Sequence, residues 1–440
     1  MTEDGPPLNV AYLGPEASFS HQAAIEVFTP PPPPPPSSFQ SPSCYSSQST
    51  TAPPSRPVTL HPLPSFSAIF AAIQDANSNH GSAQSKEQGQ PQISYDYAVV
   101  PIENSTNGSV VQVLDLLAQC GLDSGTTRSD SDSDSAAAVP VLYPDLEVCA
   151  EYYLPVHHCL FVAPSRLSVD ATNDKNKNND SNDSNKSNST TTTNKAMQDP
   201  KTAIRILYTH PQVWGQCGRF LGTHFPPNVV ERIDMGSTSA AAQLVAREAT
   251  STKVNGESGL SAAIASQLAG QKHNLVCLAE NIEDEPGSNT TRFFVMRNRQ
   301  RGQDQQSLFE GDSHFASGQS SHSQTEPLEK KKKTRYYKSL ITFTIDHTRP
   351  GSLADALAVF KQYSYNLTSI DTRPSRKRNW QYVFFVECEE AFDAVGDRRD
   401  DDKEKKLRSM LQDLRKFTES LRYLGRFEDQ LRSGVAHVQP

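Results

Sequence analysis

Apolar residues along this chain come in short runs that end at turn residues and lead into segments with helical spacing. The run at 9–13 is closed by Gly14 and Pro15, and apolar residues three to four positions apart follow over 18–28. The same order recurs after the runs at 97–102, 203–208 and 229–233, and later strand-like runs lie at 276–278 and 292–296. Repeated succession of strand, turn and helix predicts an α/β fold with a buried sheet.

The pattern changes near the C-terminus, where residues 336–428 predict a separate small domain. Strand-like runs lie at 337–347, 367–372, 382–388 and 423–427, and helical spacing lies at 351–365 and at Leu407, Leu411, Leu414 and Leu421. The first of these runs alternates apolar and polar residues. The order β-α-β-β-α-β predicts a ferredoxin-like sandwich.

Several segments are too polar or too rich in one residue type to bury a core. Such segments lie at 29–57, 123–138, 170–200 and 299–335. Their composition predicts disordered inserts and, for the last of them, a disordered linker. The folded parts are therefore expected at 8–298, with three interruptions, and at 336–428.

Charge and cysteine content narrow the classes of protein. The chain has 440 residues and a net charge of -8, which argues against a nucleic-acid binder. Its acidic N-terminus lacks the basic and apolar regions of a signal peptide, and no run approaches the ~20 apolar residues of a membrane span. We expect a cytosolic protein. The seven cysteines form no C-x-x-C pair, so neither a disulfide framework nor a metal site is predicted.

Five short motifs carry the candidate chemistry. In chain order they are LGPEASFS at 13–20, PIENSTNGS at 101–109, HPQ at 210–212, GSTSAA at 236–241 and TRF at 291–293. In this combination and order the chain closely resembles prephenate dehydratases. The resemblance implies a catalytic domain of two lobes at 8–298, built like a type II periplasmic binding protein, that needs no cofactor or metal. The implied reaction converts prephenate to phenylpyruvate in phenylalanine biosynthesis.

The substrate that the resemblance implies, prephenate, carries two carboxylates and a hydroxyl that must leave. Its site therefore needs anion-binding groups, and helix N-termini with free N–H groups supply them. Residues predicted to bind the substrate are Asn104, Ser105, Thr106, Ser237, Thr238, Ser239, His210 and Phe293. The alternative for each serine or threonine is a plain helix N-cap. Arg292 is predicted to bind a carboxylate in a two-point contact, and its alternative is a surface ion pair.

Thr291 is the proton donor that the resemblance implies for the departing hydroxyl. A positioned donor of this kind is worth ~10² to 10⁴ in rate. The predicted catalytic residues are Thr291, as this donor, and Arg292, as the carboxylate-binding residue. Glu103 would repel a dianion and is expected to hold the turn of its motif. His210 could orient the substrate hydroxyl or pack at a strand end, and the sequence leaves both interpretations open.

The C-terminal domain resembles an ACT domain, the amino-acid-sensing module of this family. Two signatures carry the match, Gly351-Ser352-Leu353-Ala354 and Asp371-Thr372-Arg373-Pro374. The resemblance implies that Gly351, Ser352, Leu353, Asp371 and Arg373 bind phenylalanine as a feedback effector. ACT domains pair between chains, so a homodimer or homotetramer is expected.

Two other functions remain open on the motifs alone. Arogenate dehydratase catalyses the same elimination on a substrate with an ammonium in place of the keto group. A non-catalytic amino-acid sensor could also combine a two-lobed fold with an ACT domain. Retention of Thr291 in its motif argues against the sensor.

Overall fold

The structure of the chain is a computed structural model. It describes residues 6–29, 56–75, 93–120, 123–124, 142–167, 199–250, 260–300, 336–390 and 400–432. The four low-complexity segments predicted to be disordered lie largely outside these residues.

Strands and helices alternate along the described residues, as the apolar pattern predicts. The strands are β1 (Leu8–Leu13), β2 (Val58–Leu63), β3 (Tyr97–Asn104), β4 (Gly108–Ser109), β5 (Asp123–Ser124), β6 (Leu146–Pro155), β7 (Cys159–Val162), β8 (Ile204–Thr209), β9 (Glu231–Asp234), β10 (Leu260–Ala265), β11 (Val276–Ala279), β12 (Thr290–Asn298), β13 (Tyr337–Thr344), β14 (Tyr365–Pro374), β15 (Tyr382–Glu390) and β16 (Ser420–Glu428). The helices are α1 (Phe19–Phe28), α2 (Phe66–Gln74), α3 (Val111–Leu117), α4 (Pro164–Leu167), α5 (Pro211–Gln216), α6 (Gly218–His224), α7 (Thr238–Thr250), α8 (Gln267–Lys272), α9 (Ser352–Gln362) and α10 (Asp400–Leu414).

The chain divides into two compact units. The first unit comprises Met1–Leu13, Ala23–Leu154 and Thr290–Pro440, and the second comprises Gly14–Gln22 and Pro155–Asn289. The first unit holds two sheets. We call the one with strand order β2-β1-β3-β12-β6 the first sheet and the one with order β14-β15-β13-β16-β5 the third sheet. The second unit holds the second sheet, with order β11-β7-β10-β8-β9.

The first sheet is mixed, because β1 pairs in parallel with β2 and β3 while β12 runs antiparallel to β3. Its central strand β3 is apolar from Tyr97 to Val100 and buried on both faces, as expected for an internal strand under helices. Helix α2 is capped by Ser65, whose side chain accepts a hydrogen bond from the Ala68 N–H, and it buries one apolar face. This packing fixes β3 and β12 side by side.

The second sheet has a parallel core in which β8 lies between β9 and β10. On one side β7 runs antiparallel to β10, and β11 runs antiparallel to β7. Helix α8 packs so closely on this sheet that a Cβ at Gly270 would lie 2.1 Å from the Phe161 ring. Because parallel neighbours end at one edge, the turns that follow β8, β9 and β10 lie at the same edge of the sheet.

The third sheet has the predicted β-α-β-β-α-β order over β13, α9, β14, β15, α10 and β16, so the ferredoxin-like prediction is confirmed. The predicted first strand is present as β13, and although its sequence alternates, it is buried from Lys338 to Thr344. The reason is that Ile341 and Phe343 pack under α9 and α10, whereas Leu340 packs with residues of the first sheet. Leu421 lies in β16 and not in the second helix.

The first and third sheets approach each other closely at one glycine. A Cβ at Gly425 of β16 would lie 2.0 Å from the Val148 carbonyl oxygen of β6, and the φ of Gly425 is 141°. Both facts require glycine here. The C-terminal domain is therefore packed closely on the first sheet at this point.

No helix in the described ranges is long and apolar enough to cross a membrane. In the same part of the chain, no group of three or more His, Cys, Asp or Glu side chains is arranged to hold a metal ion.

Candidate active site

Thr291 lies one residue into β12, next to the turn that follows β3. The two strands pair so that Thr291 is opposite Asn104. Its side chain is partly exposed, whereas Thr290 and Arg292 on either side are buried. The hydroxyl therefore stands at an accessible strand end, where a substrate could reach it.

Asn104 determines the surroundings of that hydroxyl. Its side-chain Oδ1 accepts hydrogen bonds from the Thr106 N–H at 3.1 Å, the Asn107 N–H at 3.1 Å and the Thr106 hydroxyl at 2.6 Å. Because backbone N–H groups can only donate, these bonds fix which end of the amide is oxygen. The amide nitrogen must then face Thr291, and Nδ2 donates to Thr291 Oγ1 at 3.0 Å.

The direction of this bond has a chemical consequence. The Thr291 oxygen accepts a hydrogen from Asn104, so its own hydrogen points elsewhere and is available to another acceptor. Hydrogen bonds in a chain also polarise one another, which makes the hydroxyl a better donor. The pair Asn104 and Thr291 is thus arranged to present a hydrogen-bond donor.

Ser105 and Thr106 complete the turn. The Ser105 hydroxyl accepts a hydrogen bond from the Thr290 N–H at 2.8 Å, and the Ser105 N–H donates to the Thr290 carbonyl at 2.9 Å. Thr106 is exposed and holds Asn104 through the bonds described above. The structure therefore brings three of the predicted binding residues together around Thr291.

Arg292 is placed differently from the prediction. Its Nη1 and Nη2 each donate to an oxygen of Glu387 at 2.8 Å, and its Nε and Nη2 donate to Glu151 Oε2 at 2.9 and 2.6 Å. The side chain is buried. Burial by itself lowers the pKa of Arg292, but the carboxylates of Glu387 and Glu151 raise this pKa above its ordinary value. Successive residues of a strand point to opposite faces, so Arg292 points away from the Thr291 side. The structure assigns it to a buried ion pair, not to a substrate carboxylate.

Glu103 and Phe293 also lie away from the Thr291 hydroxyl. Glu103 is paired with Arg292 across the strands and lines a small cavity of about 20 Å³ with Ser109, Asp371 and Glu387. A cavity of this size holds about one water molecule. Phe293 is fully buried, which favours packing over contact with a substrate.

The second unit carries the other predicted binding residues at one edge of its sheet. His210 follows β8 and caps α5, where its Nδ1 accepts from the Gln212 N–H at 3.4 Å, and burial lowers the pKa of His210. Ser237 caps α7 by accepting from the Ala240 N–H at 3.0 Å. Thr238 is buried in the first turn of that helix. These residues share an edge because β8 and β9 are parallel neighbours.

Ser239 reveals a role for the first motif that the sequence did not give. Its hydroxyl donates to the Glu16 carbonyl at 2.6 Å, and the buried Ser266 hydroxyl donates to the Ala17 carbonyl at 3.4 Å. Ala17 is itself buried with a φ of 61°, a conformation uncommon for alanine. The loop of the first motif is thus bound to the N-terminal ends of α7 and α8. Its only sequence signal is the Gly14-Pro15 turn.

Comparison with known sequences gives the family. Residues 10–301 match the family model described as prephenate dehydratase. A probable prephenate dehydratase from Saccharomyces cerevisiae is 30% identical over 387 residues, which is 86% of each chain. The chain belongs to the prephenate dehydratase family. It is therefore a hydro-lyase of phenylalanine biosynthesis, as the five motifs predict.

Two further comparisons concern the length of the chain relative to its homologues and its fold. A bifunctional chorismate mutase/prephenate dehydratase from Stutzerimonas stutzeri is 26% identical over 382 residues, and the chain spans 65% of that protein. The crystal structure of an Arthrobacter aurescens prephenate dehydratase in complex with L-Phe matches with a TM-score of 0.55 and 17% identity, over 98% of this chain and 93% of that one. The fold of the prephenate dehydratases is thus present over both units.

The second unit of this family member also has a buried polar group that the motifs did not indicate. Glu283 is buried and accepts hydrogen bonds from His157 Nδ1 at 2.8 Å and from the His158 N–H at 3.0 Å. The bond from His157 to Glu283 raises the pKa of His157. His158 is fully buried, its Nε2 lies 2.8 Å from Gln216 Oε1, and burial lowers its pKa. The pair of histidines therefore splits into one half-exposed and one buried side chain.

The residues predicted to bind an effector fall into two sets in this dehydratase. Gly351 has a φ of 86° and precedes α9, and the buried Ser352 hydroxyl donates to the Arg349 carbonyl at 2.9 Å. Leu353 packs against the core beneath α9. Asp371 and Arg373 lie on β14 and contact the first-sheet side: Asp371 accepts from the Ser109 hydroxyl at 3.0 Å, and Arg373 pairs with Asp115 at 2.5 Å. Their role in effector binding stays a prediction.

Proposed function

We propose that this chain converts prephenate to phenylpyruvate with Thr291 as the proton donor and Asn104 as the residue that orients it. The observation that carries the proposal is the 3.0 Å hydrogen bond from Asn104 Nδ2 to Thr291 Oγ1. It leaves the Thr291 hydrogen free to be donated, and donation to the leaving oxygen is the step that an elimination of hydroxide needs most.

The proposed reaction is a concerted elimination. The bond from the ring to the hydroxyl breaks as Thr291 donates a hydrogen to that oxygen, which leaves as water. The bond from the ring to its carboxylate breaks at the same time, its electron pair completes the aromatic ring, and carbon dioxide leaves. Solvent returns a proton to Thr291. A threonine hydroxyl suffices as donor because formation of the aromatic ring supplies most of the driving force.

The anionic groups of prephenate need hydrogen-bond donors. In the second unit the candidates are in the first turn of α7, where Thr238 and Ser239 begin a helix of 13 residues and their N–H groups have no partner within the helix. The exposed Ser105 and Thr106 are the corresponding candidates in the first unit. Because Arg292 is held in an ion pair, we expect backbone N–H groups and hydroxyls, and not Arg292, to bind the carboxylates of prephenate.

We also propose that phenylalanine is the effector and that the chain forms a homodimer or homotetramer through its third sheet. The related Arthrobacter aurescens protein was crystallised with L-Phe. The N-terminus of α9 suits an amino-acid carboxylate, since Gly351 lets a ligand approach the backbone. Strand β14 is an edge strand whose Leu367 and Ile370 are 36% and 49% exposed, which favours a partner chain there.

Turnover tests the proposed reaction. Purified wild type, Thr291→Ser and Thr291→Val are assayed for phenylpyruvate from prephenate, and for phenylalanine from arogenate, without added metal or nucleotide. Serine keeps the hydroxyl and should retain activity within about tenfold, whereas valine keeps the shape and should lose ~10² or more in kcat. Equal activity of all three proteins would remove Thr291 from the mechanism. If wild type turns over neither substrate, the result would refute the proposed reaction and favour the alternative function, a non-catalytic amino-acid sensor.

A further inference from the structure

The second residue of the Thr-Arg-Phe motif belongs to a buried charge cluster, formed by Arg292, Lys338, Glu151, Glu387 and Asp429. Arg292 pairs with Glu151 and Glu387, and Lys338 pairs with Glu151 and Asp429 at 3.3 Å each. All five residues are at most 7% exposed. Glu151 and Arg292 belong to the first sheet, and Lys338 and Glu387 belong to the third.

A cluster of this kind is costly to bury, and stability alone does not explain it. Well-packed apolar side chains at the same positions often give equal or greater stability. What the charges provide is geometry. Arg292 makes a two-point contact with Glu387, with both distances at 2.8 Å, and a planar fork of this kind fixes direction as well as distance.

Arg292 is one peptide bond from Thr291, so anything that fixes the Arg292 backbone also fixes the Thr291 backbone. We propose that Arg292 is a positioning residue: its ion pair with Glu387 of the third sheet holds the start of β12, and hence the Thr291 hydroxyl, in the reactive geometry. This inference rests on the proposed role of Thr291 as donor.

A second contact between the same sheets supports the inference. The turn that contains Asn104 ends at Ser109, whose hydroxyl donates to Asp371 of β14 at 3.0 Å. Both segments that carry the pair Asn104 and Thr291 therefore contact the third sheet. Arg292, which follows Thr291, binds Glu387, and Ser109, at the end of the turn after Asn104, binds Asp371. The water-sized cavity lies between these two attachments and is lined by Ser109, Arg292, Asp371 and Glu387.

The test is Glu387→Gln, which keeps the shape of the side chain and removes its charge. The cluster holds two cations and three carboxylates, so the variant leaves two of each and is expected to fold. Glu389→Gln is the matched control. Glu389 lies two residues along the same strand, is equally buried and pairs with Arg432 instead of Arg292.

We expect Glu387→Gln to lower kcat by about ten- to a hundredfold with KM changed by less than about threefold, because misplacement of a catalytic group by ~1 Å can cost ~10². Glu387→Asp keeps the charge but places the carboxylate one methylene further from Arg292, so its kcat should lie between those of wild type and Glu387→Gln. The control should stay within about twofold of wild type. A role in stability alone would lower the melting temperature and leave kcat of the folded enzyme unchanged, which would overturn the proposal.

Amide hydrogen exchange gives a readout that does not depend on turnover. Peptides that cover 104–109 and 288–293 should exchange about tenfold faster in Glu387→Gln than in wild type, and not in Glu389→Gln. Unchanged exchange in these peptides, or an equal change in the control, would refute the positioning role even if the proposed reaction is correct. Failure of the reaction itself is read separately, from wild type and the Thr291 variants.

Discussion

Asn104→Asp reverses one hydrogen bond at the candidate site and little else. The Asp oxygen that replaces Oδ1 can still accept from the Thr106 N–H, the Asn107 N–H and the Thr106 hydroxyl, so the turn is retained. The oxygen that replaces Nδ2 cannot donate to Thr291 Oγ1 and accepts its hydrogen instead. The hydroxyl is then held by the enzyme and not offered to the substrate.

The size of the effect follows from the strength of the new bond. A hydrogen bond to a charged acceptor contributes about 1.5–3 kcal/mol. Since about 1.4 kcal/mol is tenfold in rate, about ten- to a hundredfold fewer molecules would have the hydroxyl directed at the leaving group. The new oxygen also faces the Thr290 carbonyl, which lies 3.3 Å from Nδ2 in the wild type, so a modest loss of stability is expected as well.

The assay is kcat for prephenate together with the melting temperature, and Asn107→Asp is the control. Asn107 is exposed in the same turn and bonds to Asn104 through its backbone, so this variant adds the same charge without facing Thr291. Charge repulsion of the dianion would raise KM in both variants. A fall in kcat confined to Asn104→Asp supports the reasoning. Equal kcat values for both folded variants would refute it.

Two further predictions concern stability. Gly425→Ala should destabilise the protein by about 3 kcal/mol or more, because its Cβ would lie 2.0 Å from the Val148 carbonyl oxygen at a φ of 141°; Gly222→Ala, with nothing within 4 Å, should change stability by less than about 1 kcal/mol, and chemical denaturation measures both. His157 has a raised pKa, so the bond to Glu283 should contribute stability that is present below about pH 6.5 and lost as the pH rises through the folded value. Melting temperatures from about pH 6 to pH 8.5 should therefore fall more in wild type than in His157→Gln, and parallel curves would contradict this.

The sequence was informative where residues close together in the chain decide the structure. Apolar periodicity gave the α/β class and the β-α-β-β-α-β order of the third sheet, because each element satisfies its own backbone hydrogen bonds or those of a neighbour. The turn after β3 was also readable in principle, since asparagine followed by Ser-Thr-Asn-Gly favours side-chain bonds to nearby N–H groups. That Asn104 then meets Thr291, 187 positions away, is a property of strand pairing that no local pattern contains.

Arg292 shows where reasoning from motifs fails. A shared motif predicts that Thr291 and Arg292 face one ligand, whereas alternation along a strand places them on opposite faces. A signal for its true partner was present. Charged residues inside otherwise apolar strands, such as Lys338 and Glu387, indicate buried ion pairs, because an unpaired charge is too costly to bury. The packing of the third sheet on the first, which supplies the partner, could not be predicted from composition.

Strand β12 thus has a different task on each face. On one face Thr291 meets Asn104, and on the other Arg292 meets Glu387 of the third sheet. Strand β14 of the same sheet carries Asp371, which holds the turn that follows Asn104. Any shift of the third sheet relative to the first must alter these contacts or move the residues that make them. If phenylalanine binds the third sheet as proposed, it can alter the position of the Thr291 hydroxyl by changing the packing of this sheet on the first sheet. No contact between phenylalanine and the substrate is required.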